Sequence, residues 1–215
     1  TSRRQRQMCI RDRVINSTGN GSNGSHFIIK NNSTVDFSNN GSHGLSTGNL
    51  TIDHSKVTAN GNGGNGIHTT GVTAIQNEAD VTVTGNTCSI SSKWTIPGAI
   101  HIGGDASIAD SVVTVTDNMG SGIYQKAGTL TVADSAKLTV MRNAAEKLTI
   151  GGGVYVNGTA SLGSGTVLYN NHASIAGDDI YVEKDGAITF NDTQDGWSLD
   201  GAKDGIGCSD AITGW

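Results

Sequence analysis

Short segments in which apolar and polar residues alternate recur along most of the chain, separated by glycine and asparagine. One pattern is repeated within them: a β-branched or apolar residue, any residue, an apolar residue, two further residues and an asparagine. Its terminal asparagines are Asn40, Asn62, Asn86, Asn118, Asn143 and Asn171, separated by 22, 24, 32, 25 and 28 residues. Alternation turns every second side chain to the same face, so each copy predicts a short strand, aliphatic inside and polar outside.

A second repeated feature lies between these asparagines. A small residue there precedes an aliphatic one, and an aspartate takes the place of the small residue in the last copy. These positions, which we call the coil markers, are Gly44, Gly66, Ala99, Gly122, Gly153 and Asp179. A third alternating strand follows many of the markers, as in Leu50–Ile52, Ala106–Ile108, Leu130–Val132 and Ala160–Leu162. Each period therefore predicts three short strands joined by corners rich in Gly and Asn, which accept tight turns.

Three strands in each period of 22 residues or more are typical of a solenoid. We predict an all-β fold, a right-handed parallel β-helix with three faces and about six to seven coils. The coils would stack about 4.8 Å apart and share their backbone hydrogen bonds. An antiparallel β-sandwich also has short strands, but it gives no reason for an asparagine at the same position of six successive periods.

The recurring asparagines predict an internal ladder, in which each side-chain amide bonds the coil above and the coil below. We expect Asn86, Asn118 and Asn143 to point inward and to stack at one corner. Replacing Asn118 by alanine should then destabilise the fold by on the order of 1–3 kcal/mol. The same replacement of Asp110, which we place on the surface, should cost less.

The two ends of the chain differ from the repeat. Residues 1–13 hold five of the six arginines and resemble a translated sequencing-adapter run, the alternative being a disordered basic arm. We expect residues 14–34 to form an N-terminal coil, complete or incomplete, and residues 35–191 to form the β-helix coils. Residues 192–215 are expected to form a C-terminal cap or the start of a further module.

Composition narrows the class of partner. The net charge of −5 becomes −9 when residues 1–13 are set aside, because nine Lys and Arg then face eighteen Asp and Glu. An acidic body argues against nucleic acid or an anionic membrane as partner. No apolar run approaches the roughly 20 residues of a membrane span. Cys88 and Cys208 are not spaced as a zinc site, and we expect neither a metal nor a cofactor.

The repeat resembles that of known surface proteins. Phe37–Asn40 has the form F-x-x-N, and Gly64–Ile67, Gly120–Ile123 and Gly151–Val154 resemble a G-G-A-I marker. Both occur in polymorphic outer-membrane adhesins and other pectin-lyase-like β-helix surface proteins. The run 151–182, with the Trp and Phe residues that follow it, is similar to the close of the β-helix in large Gram-positive surface proteins. The resemblance implies an architecture and a location, and it carries little information on function.

The resemblance implies an extracellular protein of the bacterial cell surface. We expect a monomeric, non-catalytic, adhesin-like scaffold that binds a host glycan or an extracellular protein through its corner loops. The corners with the longest insertions are 89–97 and 144–147, and insertions of this kind map to one edge of a solenoid.

An enzyme is the alternative, since many β-helices are polysaccharide lyases or glycoside hydrolases. The catalytic site would then lie partly outside this chain. A hydrolase needs converging carboxylates near a His and a basic residue, and the candidates are Asp178 and Asp179, with His43 at a coil corner several rungs away. Asp179 stands where other coils carry Gly, so a corner role fits it better, and His43 fits a solvated turn. Arg142 is the single arginine after residue 13, and no acid pair lies beside a base in the repeat.

Three further kinds of site were weighed against structural roles. A calcium-dependent lyase would use Asp105, Asp110, Asp117 and Asp134, which fall on different strands and corners and fit a solvated acidic face better. His68 and His101 both follow a marker aliphatic, and two imidazoles separated by an insertion make a poor metal site. Thr82/Thr84 and Thr114/Thr116 form two matched Thr-x-Thr rungs, too few for the flat array that binds ice.

Overall fold

The computed structural model describes residues 26–88, 98–145 and 150–191. In these ranges the regular structure consists of strands, without a helix. In chain order the strands are β1 (His26–Ile29), β2 (Thr34–Asp36), β3 (Leu45–Thr47), β4 (Asn49–Asp53), β5 (Lys56–Asn60), β6 (Ile67–Thr69), β7 (Thr73–Gln76), β8 (Asp80–Thr84), β9 (Gly98–Ile102), β10 (Ala106–Ile108), β11 (Val112–Thr116), β12 (Ser121–Gln125), β13 (Thr129–Val132), β14 (Lys137–Met141), β15 (Ala144–Ala145), β16 (Val154–Val156), β17 (Thr159–Leu162), β18 (Thr166–Tyr169), β19 (His172–Ala173), β20 (Ile180–Val182) and β21 (Ala187–Phe190).

These strands form three long parallel sheets. The first sheet has the order β1-β4-β7-β10-β13-β17-β21, the second β2-β5-β8-β11-β14-β18, and the third β3-β6-β9-β12-β16-β20. A small fourth sheet pairs β15 with β19 at a corner. Neighbours within each sheet come from successive coils, so the chain visits the three sheets in turn and then repeats. The structure is a parallel β-solenoid of about six turns, which confirms the predicted fold class. The right-handed sense stays a prediction.

The core lies between the three sheets and is built by the alternation seen in the sequence. In the second sheet Val57, Val81, Val113 and Leu138 occupy one inward row of the register, and they are fully buried. The threonines that follow them in the chain face outward and are half-buried. Rows of aliphatic side chains in register pack continuously from coil to coil, so each coil covers the apolar face of its neighbour. No coil could bury that face alone.

The described residues cover the expected domains in part. Strand β1 belongs to the coil that we placed at 14–34, β2 begins at its last residue, Thr34, and the strands from β3 to β21 fall within the segment 35–191. The expected arm at 1–13 and the expected cap at 192–215 lie outside the described residues, as do the corner insertion 89–97 and the second half of the insertion 144–147.

Candidate functional site

The six recurring asparagines form a continuous ladder inside the corner between the second and third sheets. The backbone N–H and the side-chain amide of each asparagine both donate to the side-chain oxygen of the next. At Asn86 these bonds to Asn118 Oδ1 measure 2.9 and 2.8 Å, and at Asn118 the bonds to Asn143 Oδ1 measure 3.2 and 2.8 Å. Asn40–Asn62, Asn62–Asn86 and Asn143–Asn171 are joined in the same way.

The local backbone places each ladder amide. The residue before each ladder asparagine has a positive φ between 52° and 63°, namely Asn39, Gly61, Gly85, Asp117, Arg142 and Asn170. The left-handed backbone conformation of this residue makes a sharp turn, which directs the side chain of the following asparagine inward. There the amides also donate to backbone carbonyls, Asn86 to Ala59 and Asn143 to Val115. At these two rungs the side-chain amide therefore bonds both the next asparagine and a buried carbonyl of the preceding coil.

The coil markers are small because they pack against the ladder. A Cβ on Gly122 would lie 2.4 Å from Val140 Cγ1, 2.8 Å from the Gly153 carbonyl oxygen and 2.9 Å from Asn143 Nδ2. The markers Gly44, Gly66 and Gly153 face the ladder amide of the following asparagine in the same way. Ala99 holds this position in the third coil and is fully buried. Marker and ladder asparagine are thus one packing unit that repeats with the coil.

We expect Gly122→Ala to lower the free energy of unfolding by about 1–3 kcal/mol, the usual cost of adding an atom to a packed interior. Gly41→Ala is the matched control, because nothing lies within 4 Å of its Cβ position. That variant should leave stability unchanged or raise it slightly, through a less flexible unfolded chain. Urea unfolding of the two variants checks this expectation, and equal losses would contradict the packing role of the marker.

The adjacent carboxylates Asp178 and Asp179 point in different directions. Asp179 Oδ1 accepts both donors of Asn171, at 3.3 Å from the backbone N and 2.8 Å from Nδ2. Its carboxylate thus ends the asparagine ladder in place of a further amide. Asp178 faces the opposite side, where its Oδ1 accepts the Ala173 N–H at 2.8 Å and lies 3.3 Å from His172 Nδ1. The sequence aligned Asp179 with the small markers, and the structure adds a role as the ladder's terminal acceptor.

The four acids considered for calcium are engaged separately. Arg142 donates to both oxygens of Asp117 at 2.7 and 2.8 Å, and these bonds hold the pKa of Asp117 below its ordinary value. Asp134 accepts the Ser164 backbone N–H and the Asn191 amide. Asp105 accepts the Thr129 N–H, and Asp110 lies at a corner with a φ of 49°. Among the described residues no group of three or more His, Cys, Asp or Glu side chains could hold a metal ion.

The outward threonines of the second sheet are more regular than the two matched rungs suggested. Thr58, Thr82, Thr114 and Thr139 are in register on four successive strands. The parallel row beside them changes from Thr84 and Thr116 to asparagine and methionine at its two ends. The row that begins at Thr58 therefore has threonine on four strands, and the row beside it has threonine on two.

A column of aromatic rings runs along the third sheet, and we call it the ring column. It consists of His43, His68, His101, Tyr124, Tyr155 and Tyr181. Successive ring centroids are 5.0, 4.5, 4.9, 4.8 and 5.5 Å apart. The last five rings are in register on β6, β9, β12, β16 and β20. Each of these five follows an inward aliphatic residue, so the column lies on the outer face of the solenoid.

The sequence analysis found two members of the ring column and missed the rest. It aligned His68 with His101 because both follow a marker aliphatic. Tyr124, Tyr155 and Tyr181 occupy the same place after Ile123, Val154 and Ile180. The shared position after an aliphatic residue was the signal in the sequence, but the change of residue type from His to Tyr made it hard to recognise. His43 could not be found in this way, because Ser46 holds the aligned position in its coil.

Burial makes the ring column unusual for an outward surface. His101 is 8% exposed and Tyr155 is 3% exposed, although both alternate with core residues. Burial lowers the pKa of His68 from 6.5 to about 4, and it lowers the pKa of His101 to about 3. The neighbouring imidazoles and Lys126 act in the same direction, since like charges disfavour a further proton. At neutral pH the column is therefore uncharged at its histidine end.

The tyrosine end of the ring column is anchored by a carboxylate. The Tyr155 hydroxyl donates to Glu183 Oε1. Burial, followed by this hydrogen bond, raises the pKa of Tyr155, and burial also raises the pKa of Tyr124. The phenols thus stay protonated across the physiological range. Elsewhere in the interior, burial raises the pKa of the Cys88 thiol to about 12, which keeps it out of thiolate chemistry.

Comparison with protein-family models, with curated proteins and with solved structures found no match to this chain. None of the described residues forms a helix with the length and apolarity that crossing a membrane requires. The fold and the placement of individual side chains are therefore the basis for any proposal on function.

Proposed function

We propose that this chain is a non-catalytic scaffold module of an extracellular, adhesin-like protein at the bacterial cell surface. The observation that carries the proposal is the unbroken register of three parallel sheets over about six turns. At about 4.8 Å per coil such a stack is a rod roughly 30 Å long. Each coil is bonded to the coil before and after it, so a loop on any corner is held at a fixed height along the rod.

The polar groups that could have served catalysis support the same proposal by what they contact. Asp179 closes the ladder, Asp117 binds Arg142, and Asp134 binds two groups from the following coils. Each of these contacts joins one part of the solenoid to another, and each uses carboxylate oxygens that a hydrolase would direct at its substrate. The contacts of these three acids therefore fit a role in stabilising the solenoid.

The corner insertions are the proposed binding elements, with a host glycan or an extracellular protein as ligand. The chain enters them at Cys88 and at Ala145, each two residues after a ladder asparagine. Both insertions therefore leave the same corner, two coils apart, which corresponds to about 10 Å along the rod. Two loops that begin at this separation on a rigid support can contact one ligand together.

The test compares binding and turnover by the full chain. Immobilised host glycans and extracellular matrix proteins are screened with the parent and with a variant in which 89–97 and the part of the second insertion beyond β15, 146–147, are replaced by short Gly-Ser links. We expect binding by the parent that the loop variant loses, while Thr131→Ala on the first sheet retains it. Binding that survives both replacements would contradict the proposed location.

The same protein is assayed on polyuronates and host glycans with and without Ca²⁺. We expect no release of reducing ends or unsaturated products above a heat-inactivated sample. Turnover that exceeds this background would overturn the non-catalytic proposal in favour of a polysaccharide lyase or glycoside hydrolase.

A further inference from the structure

Three imidazoles stack on the outer face of the first three coils. The rings of His43 and His68 are nearly parallel, at 16°, with centroids 5.0 Å apart. His101 follows in the next coil, with its ring edge-on to His68 at 65° and a centroid distance of 4.5 Å. The strands that carry or adjoin these rings are β3, β6 and β9, which are neighbours in the third sheet. The rings therefore bridge three coils on one face, in addition to the backbone ladder.

The contacts of this stack require neutral rings. The Asn65 backbone N–H donates to His43 Nδ1 at 3.0 Å, and a ring nitrogen accepts only when it carries no proton. Protonation of His43 at this atom would break the bond. Two protonated rings 4.5 to 5.0 Å apart would also repel one another. Neutral rings keep the hydrogen bond from Asn65 and do not repel one another, so the contact is stable only while the rings are neutral.

The groups around the stack do not compensate a positive charge. The charged groups that act on His68 and His101 are the other imidazoles and Lys126, which follows β12. His68 Nδ1 lies 3.3 Å from the Ser46 hydroxyl on β3, and His101 meets the Tyr124 ring on β12. The carboxylate of Glu183 lies at the other end of the ring column, on Tyr155. Charge at the histidine end therefore stays unbalanced among the described residues.

We propose that the stack of His43, His68 and His101 is an acid-sensitive contact, which joins the first three coils at neutral pH and separates them on this face when the pH falls below about 5. The opened state is favoured because its imidazoles are solvated and can take up protons. Tyr124 and Tyr155 continue the column with phenols whose pKa is raised by burial, so acid adds no charge to those two rings and we expect the change in the histidine half.

The direction of the pH dependence follows from proton binding. In an open or unfolded chain the imidazoles titrate near 6.5, whereas the folded stack holds His68 at a pKa of about 4 and His101 at about 3, and burial also lowers the pKa of His43. Below pH 6.5 the open state therefore binds more protons than the folded one. The stabilisation from the neutral histidines is fully present above pH 6.5, and it decreases as the pH falls towards the pKa values of the folded state.

Hydrogen exchange of the full chain at pH 7 and pH 4.5, corrected with an unstructured reference peptide, tests the proposal. We expect amides of β3, β6 and β9 to lose protection by at least tenfold at the lower pH, while those of β16 and β20 change much less. Replacing both His68 and His101 by tyrosine extends the tyrosine column and should abolish the loss. His26→Gln, at an exposed histidine on the first sheet, should keep it. An undiminished loss in the double variant would overturn the proposal.

A second measurement covers the case in which the double variant does not fold. The imidazole Cε1–H signals of the parent are followed by NMR during acid titration. Midpoints below about 5 for three histidines, with loss of the β6 and β9 amide signals over the same range, support the proposal. Midpoints near 6.5 for all histidines, with intact amide signals, would overturn it.

Discussion

Replacing Asn118 by alanine should lower the free energy of unfolding by about 3–5 kcal/mol, more than the sequence alone suggested. The Asn118 side chain donates to Asn143 Oδ1 and to the carbonyls of Val83 and Thr116. Its oxygen accepts two donors from Asn86. Alanine would remove side-chain hydrogen bonds in three successive coils and would leave the buried Asn86 backbone N–H without its acceptor, Asn118 Oδ1. Each lost buried hydrogen bond costs about 1–3 kcal/mol where a group is left unpaired. Urea unfolding followed by circular dichroism measures the global loss.

The control for this variant has to respect the backbone. We proposed Asp110→Ala from the sequence as a surface change, but Asp110 has a φ of 49°. Alanine is strained in that region by about 1 kcal/mol or more, so the replacement is not neutral. Asp110→Asn keeps a residue that tolerates the turn and should change stability by less than about 0.5 kcal/mol. Asn118→Asp is the complementary test, since a carboxylate cannot donate to Asn143 and should not rescue the ladder.

Solenoids unfold in parts as well as in one step, so the loss at Asn118 also has a local signature. Amides of β8, β11 and β14 should lose protection against hydrogen exchange before those of the outer coils. Equal stability of Asn118→Ala and Asp110→Asn, with an unchanged exchange pattern, would show that the ladder does not stabilise the central coils.

The fold could be predicted because two signals repeat in the sequence with each coil. Alternation of aliphatic and polar residues specifies short strands, and the recurring asparagine specifies their alignment. Since the marker Gly122 packs on the amide of Asn143, the two patterns have one physical cause and occur together. A solenoid repeats its environment, so a side chain required in one coil is required in the next, and the requirement becomes visible without a structure.

The ring column could not be predicted as a whole, because its members share a position and not a residue type. An outward row selects for rings that stack, and both imidazole and phenol fulfil this. When the coils are compared by sequence, His101 and Tyr124 differ in residue type. In the structure they are in register, and their ring centroids are 4.9 Å apart. His43 adds a second difficulty, since it reaches the column from the corner before β3. Only the three-dimensional structure shows that His43 belongs to the ring column.

Asp178 and Asp179 show why a pair in the sequence is not a pair in space. Both residues lie in a bend before β20, where Asp179 turns inward to Asn171 while Asp178 faces His172. The sequence placed Asp179 with the small markers because Ile180 follows it. It could not show that the side chain reaches back eight residues to the ladder, since this contact depends on the path of the corner between β18 and β20.

Replacing Asp179 by alanine should destabilise the last coil by about 2–4 kcal/mol. Asp179 Oδ1 accepts the backbone N–H of buried Asn171 and one side-chain N–H, while Nδ2 also donates to the Val140 carbonyl. Alanine therefore leaves the backbone N–H and one of the two side-chain hydrogens of Asn171 without an acceptor. Asp179→Asn retains an oxygen at the same position and should preserve most of the stability. Asp178→Ala removes an exposed contact to His172 and the side-chain acceptor of the Ala173 N–H, and it should cost about 1 kcal/mol.

Hydrogen exchange separates the local consequence from the global one. In Asp179→Ala the amides of β18 and β20 should exchange faster, and those of β5 and β8 should keep the parent's protection, because coupling along a solenoid decays with distance from the altered coil. The asparagine variant distinguishes an acceptor from a charge: full protection in Asp179→Asn means that the oxygen alone ends the ladder. If that variant were as damaged as Asp179→Ala, the negative charge would be the stabilising element, and the carboxylate could not be regarded as a substitute for a seventh amide.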